Sequence, residues 1–244
     1  MTYWLLKVVL TPLLRFFFHI KVEGLENVPP DGPVILASNH VSFSDSIFLP
    51  LVLRRRVTFV AKAEYFENKK TAWFFRAVGQ IPIKRDGGSA SQRALASAQE
   101  VLDAGGVFGI YPEGTRSPDG RLYKGHTGVA RLALACRCPV LSVAMIGTRE
   151  AQPIGQVKPN FFMPITVRFS EPMRFDRFYG RQDDPLVLRQ ITDEIMFALR
   201  ELSGQEYVNR YAKRGEAVEG VGADTSTVVA ARRVPPVPAT AISA

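Results

Sequence analysis

The segment ILASNHVSFSDSIFL (residues 35–49) carries two secondary-structure signals back to back. PVILAS (33–38) is a continuous apolar run without polar alternation, the pattern of a strand buried on both faces in a parallel sheet. Ser42-x-x-Asp45 then precedes Ile47, Phe48 and Leu49, the signature of a helix N-terminus. The segment reads strand, turn, helix. Comparable apolar runs recur at VTFVAK (57–62), GVFGIYPE (106–113), PVLSVAMIG (139–147) and ITVRFSE (165–171). Helical patterns lie between and after them. Residues 89–104 place Ala94, Leu95, Ala98, Val101 and Leu102 at helical spacing and stop at Gly105-Gly106, residues 126–136 are small and apolar, and a third helix opens at Asp183-Asp184-Pro185. Strands alternating with helices predict an α/β fold with a mostly parallel central sheet flanked by helices. Sites in such sheets lie beyond the C-terminal ends of the strands.

The 244 residues, 46% hydrophobic and 22% charged, suffice for one main domain, placed at 21–213. Lys and Arg outnumber Asp and Glu by 31 to 23, giving a net charge of +8 that suits anionic partners: phospholipid head groups, phosphorylated metabolites or nucleic acid. Cys136 and Cys138 lack the second ligand pair of a structural zinc site and read as two inert thiols in a reduced, cytoplasmic setting. Residues 1–20, MTYWLLKVVLTPLLRFFFHI, are the most lipophilic stretch. Lys7, Thr11, Arg15 and His19 recur every four residues, a narrow polar stripe on a helix that is otherwise apolar. Two cations in the stripe interrupt a spanning helix, and a secretory signal is disfavoured because no basic residue precedes the apolar run. Two readings stand: an amphipathic helical membrane anchor lying in the interface, with the cations at head-group level, and a helix covering the domain's own core. Residues 214–244, rich in Gly, Ala, Pro, Ser and Thr, read as a disordered tail.

His40, one of three histidines, falls two residues after the apolar run, where its ring would face the crevice at the sheet edge. With His40 in the turn and Asp45 in the first helical turn, the two side chains can meet. Asp45 could serve only as a capping residue, or could also fix the imidazole tautomer and stabilise the imidazolium. No G-x-S-x-G elbow is present, and Ser42 and Ser44 sit too close along the backbone to be convincing nucleophiles. The economical chemistry is a base that deprotonates a substrate hydroxyl, which then attacks an acyl carbonyl. GIYPEGTRSPDG (109–120) ends an apolar strand with a glycine and Arg116, a plausible phosphate loop, or else a surface turn with Arg116 solvated or paired to Glu113. VGQIPIKRD (78–86) could bring Lys84 and Arg85 to the same crevice, or be a solvated basic turn.

NHVSFSD (39–45), GQIPIKR (79–85), YPEGTRS (111–117) and PVLSVAMIG (139–147) occur in the order of the four motif blocks of the glycerophospholipid acyltransferases, and the chain resembles that family over roughly residues 20–172. AKAEYF (61–66) and LYKGHTGVARLA (122–133), which contains His126, are similar to family segments as well. The resemblance is strongest to 1-acyl-sn-glycerol-3-phosphate (lysophosphatidic acid) acyltransferases. It implies His40 as base and Asp45 as its orienting acid, with Glu113, Gly114, Thr115 and Arg116 as the acceptor-phosphate loop and Arg85 as a second phosphate contact. It places Lys62 in the segment whose main chain helps to hold the oxyanion, and implies an N-terminal membrane anchor. The reaction expected from it is acyl transfer from acyl-CoA or acyl carrier protein to a lysophospholipid hydroxyl, without cofactor, metal or nucleic acid. The expected setting is the anionic cytoplasmic face of the cell membrane. Glycerol 3-phosphate or another lysophospholipid as acceptor, a serine lipid hydrolase, and a non-catalytic basic membrane-binding module are the alternatives.

Overall fold

The computed structural model describes residues 2–83 and 90–213. Arg85 and the 214–244 segment lie outside the described residues. Six strands form the main sheet: β1 (His19–Glu23), β2 (Val34–Ser38), β3 (Val57–Thr58), β6 (Val107–Ile110), β8 (Val140–Ile146) and β9 (Pro164–Phe169), in the order β1-β9-β8-β2-β6-β3. Every neighbouring pair is parallel except β8 with β9, which is antiparallel. Short strands β4 (Val60–Lys62) and β5 (Ile81–Ile83) form a separate parallel pair, as do β7 (Leu122–Tyr123) and β10 (Tyr207–Val208).

Alternation along β2 explains why its sequence is apolar throughout. Ile35 and Ala37 join a core with α5 (Ala90–Asp103), α6 (Gly128–Ala135) and α8 (Pro185–Ser203), while Val34 and Leu36 join a second core on the other face, with α1 (Thr2–Phe17) and α2 (Asp45–Val52). Both faces of the sheet are covered, so both sets of side chains must be apolar. The N-terminal cap of α8 is the one its sequence predicts: Asp184 Oδ1 accepts from the N–H groups of Leu186 (2.9 Å) and Val187 (3.3 Å), and Pro185 opens the helix; Gly204, at φ +70°, closes it.

Three expectations change. The run 57–62 is not one strand: Phe59 breaks it, its N–H donating to Gln80 Oε1 (2.6 Å) and its carbonyl accepting from Ile81 N (3.0 Å), so that 57–58 stay in the main sheet and 60–62 pair with β5. The N-terminal helix ends at Phe17, not at residue 20. Phe18 is buried edge-on against Phe48 (ring centroids 5.1 Å apart), and His19 and Ile20 already pair with β9, so the globular domain begins before residue 21. Finally, Lys7 does not reach outward. Its ammonium donates to the carbonyls of Pro50 (2.9 Å) and Leu53 at the end of α2, and burial lowers its pKa. Together with Tyr3, Leu14 and Phe17 it docks α1 on the domain, while Trp4, Leu5, Val8, Val9, Leu13 and Phe16 on the opposite side are exposed. No described helix is long and apolar enough to cross a membrane.

Candidate active site

Strands β2 and β6 are parallel neighbours, with Ala37 opposite Ile110, so their C-terminal ends deliver His40 and the 111–117 loop to the same edge of the sheet. His40 leaves β2 in an extended turn, and Asp45 starts α2. The imidazole Nδ1 lies 2.9 Å from Asp45 Oδ2, and the N–H groups of Val41 and Ser42 donate to that same oxygen at 2.8 Å each. Asp45 orients His40 and accepts from Ser42 N–H as one half of a capping box would, but the reciprocal half is missing: Ser42 Oγ accepts from Ser44 N–H (3.2 Å), and α2 begins after Ser44 without a side-chain cap bond. Its side chain is fully buried, whereas that of His40 is 16% exposed. With Nδ1 committed to a carboxylate, Nε2 is the ring nitrogen left for a reacting proton. Ser42 Oγ turns away, onto the carbonyl of Gln152 (2.8 Å) and towards Ser44 Oγ (2.9 Å).

The 111–117 loop divides its residues between two sides. Gly114 N–H donates to the Tyr111 carbonyl (2.9 Å) and adopts φ +71°, a left-handed turn that glycine tolerates. Before this turn Glu113 points inward; after it, Thr115 and Arg116 line the cavity, as does Gly114 itself. Glu113 therefore departs from the expected phosphate loop. It is 1% exposed, its Oε1 accepts from His40 N–H (3.2 Å) and its Oε2 from Tyr123 N–H (2.9 Å). Burial raises its pKa to about 8 against those two bonds, with the charges of Asp45 and Asp119 adding to the rise. An inward carboxyl tied to two backbone amides holds the site together and is not placed to touch a phosphate. Arg116 is half-buried and makes no ion pair among the described residues.

One cavity of about 430 Å³ joins these groups. His40, Thr115 and Arg116, with Lys7, Ser46 and Gln80, are among its polar lining, and Leu6 and Leu10 of α1, Ile47 of α2, and Phe74, Phe75 and Val78 on and just after α4 (Lys69–Ala77) are among its apolar lining. Val60 and Ala61 of β4 also line it, so the backbone of Lys62, in register with Ile83, lies beside the cavity wall. A hydroxyl base, a cationic anion site and an apolar chamber in one cavity can take an amphiphile carrying a phosphate.

The sequence matches the family model described as Acyltransferase over residues 19–146. The chain belongs to this acyltransferase family. It is similar to a chloroplastic 1-acyl-sn-glycerol-3-phosphate acyltransferase of Arabidopsis thaliana, 34% identical over 140 residues, 57% of this chain and 39% of that one. The 1-acyl-sn-glycerol-3-phosphate acyltransferase of Bacillus subtilis is 28% identical over 141 residues, 57% of this chain and 70% of that one. The chain spans about two fifths of the length of the plant relatives in Arabidopsis thaliana and Brassica napus. Among solved structures, the 1-acyl-sn-glycerophosphate (LPA) acyltransferase PlsC from Thermotoga maritima superposes with a TM-score of 0.62 at 29% identity, covering 80% of this chain and 76% of that one.

Several residues that brace this site were not singled out by the motifs. Ser117 N–H donates to the His40 carbonyl (2.7 Å), so the His40 backbone is held from both sides by the loop of Glu113 and Ser117. Asn39 exchanges two bonds with the main chain of Met145 (3.0 and 2.7 Å) and reaches Gln205, which in turn donates to the Gly120 carbonyl (2.6 Å). Arg149 donates to the carbonyls of Ser117 and Pro118 (3.2 and 3.0 Å). His126 stacks on Tyr211 at 4.5 Å and fills the space beside Gly114, where a Cβ would come within 3.1 Å of its ring. Ser117 and Asn39 sit inside the quoted motifs, but nothing in their spacing shows which backbone groups they hold.

Proposed function

We propose that this chain transfers a fatty acyl group from an acyl thioester to the free hydroxyl of 1-acyl-sn-glycerol 3-phosphate, giving phosphatidic acid. The observation that carries the reading is that one cavity is lined by both His40 and Arg116 together with apolar side chains of α1, α2 and α4. Arg116 and the turn at Gly114 and Thr115 receive the phosphate, which sets the acceptor hydroxyl against His40 Nε2. Nε2 takes the hydroxyl proton as the oxygen attacks the thioester carbonyl, and Asp45 stabilises the resulting imidazolium. Main-chain N–H groups of the 60–62 segment, which borders the cavity, are the candidates for holding the oxyanion of the tetrahedral intermediate, and Arg85 for a further phosphate contact. Collapse breaks the C–S bond, and the leaving thiolate recovers the proton from His40. The balance closes without a cofactor, whether the thioester is acyl-CoA or acyl carrier protein.

The setting we propose is the anionic cytoplasmic face of a membrane, where Cys136 and Cys138 remain thiols. The outward side of α1 supports it: Trp4, Leu5, Val8, Val9, Leu13 and Phe16 are all exposed, and Phe161 and Phe162 continue that apolar surface beside Phe17 (ring centroids 4.8 and 6.2 Å). Tyr3, Leu6 and Leu10 of the same helix line the cavity, so a chain leaving the bilayer beside α1 meets the site directly.

The test is product analysis by mass spectrometry, with the purified protein, acyl-CoA and acyl carrier protein donors, and lysophosphatidic acid, glycerol 3-phosphate and other lysophospholipids as acceptors. Phosphatidic acid from lysophosphatidic acid is the expected product, and His40→Ala lowers kcat by roughly 10²-fold or more. Near wild-type turnover in His40→Ala overturns the mechanism, and a serine labelled by a fluorophosphonate in the intact protein would reassign the site to a hydrolase.

A further inference from the structure

Tyr111, the first residue after β6, lies flat on the base: its ring centroid is 3.8 Å from that of His40 and the two planes differ by 12°. Two neutral rings avoid that arrangement, preferring edge-on or offset contacts with centroids about 4.5–7 Å apart. Close face-to-face stacking becomes favourable when one ring carries positive charge, because the negative π face of the phenol then meets a cation. The Tyr111 ring is itself held by further contacts. Phe59 also stacks on Tyr111, with centroids 5.4 Å apart and planes 15° apart, and it can lie there only because residue 109 is glycine: a Cβ on Gly109 would come 2.2 Å from the Phe59 ring. The phenol oxygen is fixed as well, 2.8 Å from Ser46 Oγ. Burial and the Asp45 charge raise the Tyr111 pKa well above 10, so it stays a neutral phenol.

We infer that Tyr111 is a positioning residue of the acyl transfer, acting through His40: its face holds the imidazole plane with Nε2 in the cavity and stabilises the imidazolium formed when the base takes the acceptor proton. The inference rests on His40 being that base. Asp45 approaches the ring in its plane at Nδ1, and Tyr111 covers a face, so the two contributions are separate. An imidazolium in a cavity with an apolar wall has little water to disperse its charge, which gives the π face its weight.

The experiment varies the face and leaves the shape almost constant. Phenylalanine replaces Tyr111, followed by mono-, di- and trifluorophenylalanine at the same position, and each variant is assayed with the same donor and acceptor. Tyr111→Phe is expected to keep kcat within about threefold of wild type, and kcat then falls stepwise with fluorination while both KM values stay within about twofold. Tyr111→Leu, which keeps bulk and removes the ring, lowers kcat by roughly two- to thirtyfold, the span that a cation over an aromatic face brings. A flat fluorination series overturns the inference, as does a rise in KM at constant kcat, which would make Tyr111 only a wall of the cavity. The isosteric series remains decisive if Tyr111→Leu fails to fold. A flat series with an inactive His40→Ala removes the role of Tyr111 alone; an active His40→Ala removes the base itself.

Discussion

At the scale of single residues, the two carboxyls beside His40 have opposite tasks and should fail in different ways. Asp45 Oδ2 accepts three N–H groups, a load that an asparagine oxygen could carry, but an amide supplies no charge to an imidazolium. Asp45→Asn should therefore lower kcat by roughly 10- to 10³-fold, no more than His40→Ala, with a lower melting temperature as well, because its NH2 group would replace the Oδ1 that is buried without a partner. Arg116 lines the cavity without an ion pair among the described residues, and losing a charged contact worth about 1.5–3 kcal/mol raises the acceptor KM roughly ten- to hundredfold in Arg116→Ala. A shift of donor KM instead would assign the loop to phosphates of the donor. Glu113 governs stability. Its pKa rises from the ordinary 4.5 to about 8 in the folded chain, so between those values the folded state keeps a proton that the unfolded state has released. Stability accordingly falls as pH rises from about 4.5 through about 8. Glu113→Gln, which cannot ionise, lacks that decline, so the wild type should lose melting temperature relative to the variant across this window. Parallel melting curves would show that Glu113 is ionised throughout.

At the scale of elements, the α/β order was legible because strands covered on both faces announce themselves as unbroken apolar runs, and β2, β6 and β8 appear where such runs lie, while β9 shows itself by alternation, with Ile165, Val167 and Phe169 buried and Thr166 and Arg168 between them. The pairing of His40 with Asp45 was legible for a related reason: a strand end and a helix start fix both residues locally. What escaped depends on distant partners. HIKVE of β1 alternates like any exposed edge and directly follows a helix, so only its pairing with β9 reveals a strand. The direction of Glu113, adjacent in sequence to the cavity-lining Gly114, hangs on one turn. Lys7 is the sharpest case. Helical periodicity groups it with Arg15 in one polar stripe, yet the carbonyls that α2 leaves unpaired at Pro50 and Leu53 draw it inward. If α1 is a structural wall of the domain, Lys7→Met should destabilise the protein in solution by about 1–3 kcal/mol, seen as a lower melting temperature and faster proteolysis within α1. A helix that serves only lipid predicts no change in either without vesicles.

At the scale of the whole molecule, α1 has an inner side that closes the cavity and an outer side that is apolar without covering anything, Phe16 being 72% exposed. Phe162 extends that outer surface at 59% exposure and holds φ +62°, a conformation that a bulky side chain rarely adopts, while its N–H donates to the Phe17 carbonyl (2.6 Å). A bilayer partner predicts a specific split in behaviour. Replacing Trp4, Val8, Phe16 and Phe162 together by serine touches only exposed positions, so circular dichroism should stay that of a folded α/β domain. Each fully buried side chain of this size contributes about 1.5–3 kcal/mol of apolar transfer, so even half-immersion of all four implies a loss of roughly hundredfold or more in vesicle partitioning. Arg15→Glu should weaken binding only to anionic vesicles, since a cation near such a surface adds about 1 kcal/mol. Activity then separates the two roles of the helix: the four-serine variant should lose turnover on long-chain acceptor embedded in vesicles and keep it on a short-chain, water-soluble acceptor, because the inner side of α1 and the cavity are intact. Equal loss on both acceptors, or flotation with vesicles equal to wild type, would mean that the outer side of α1 meets something other than lipid.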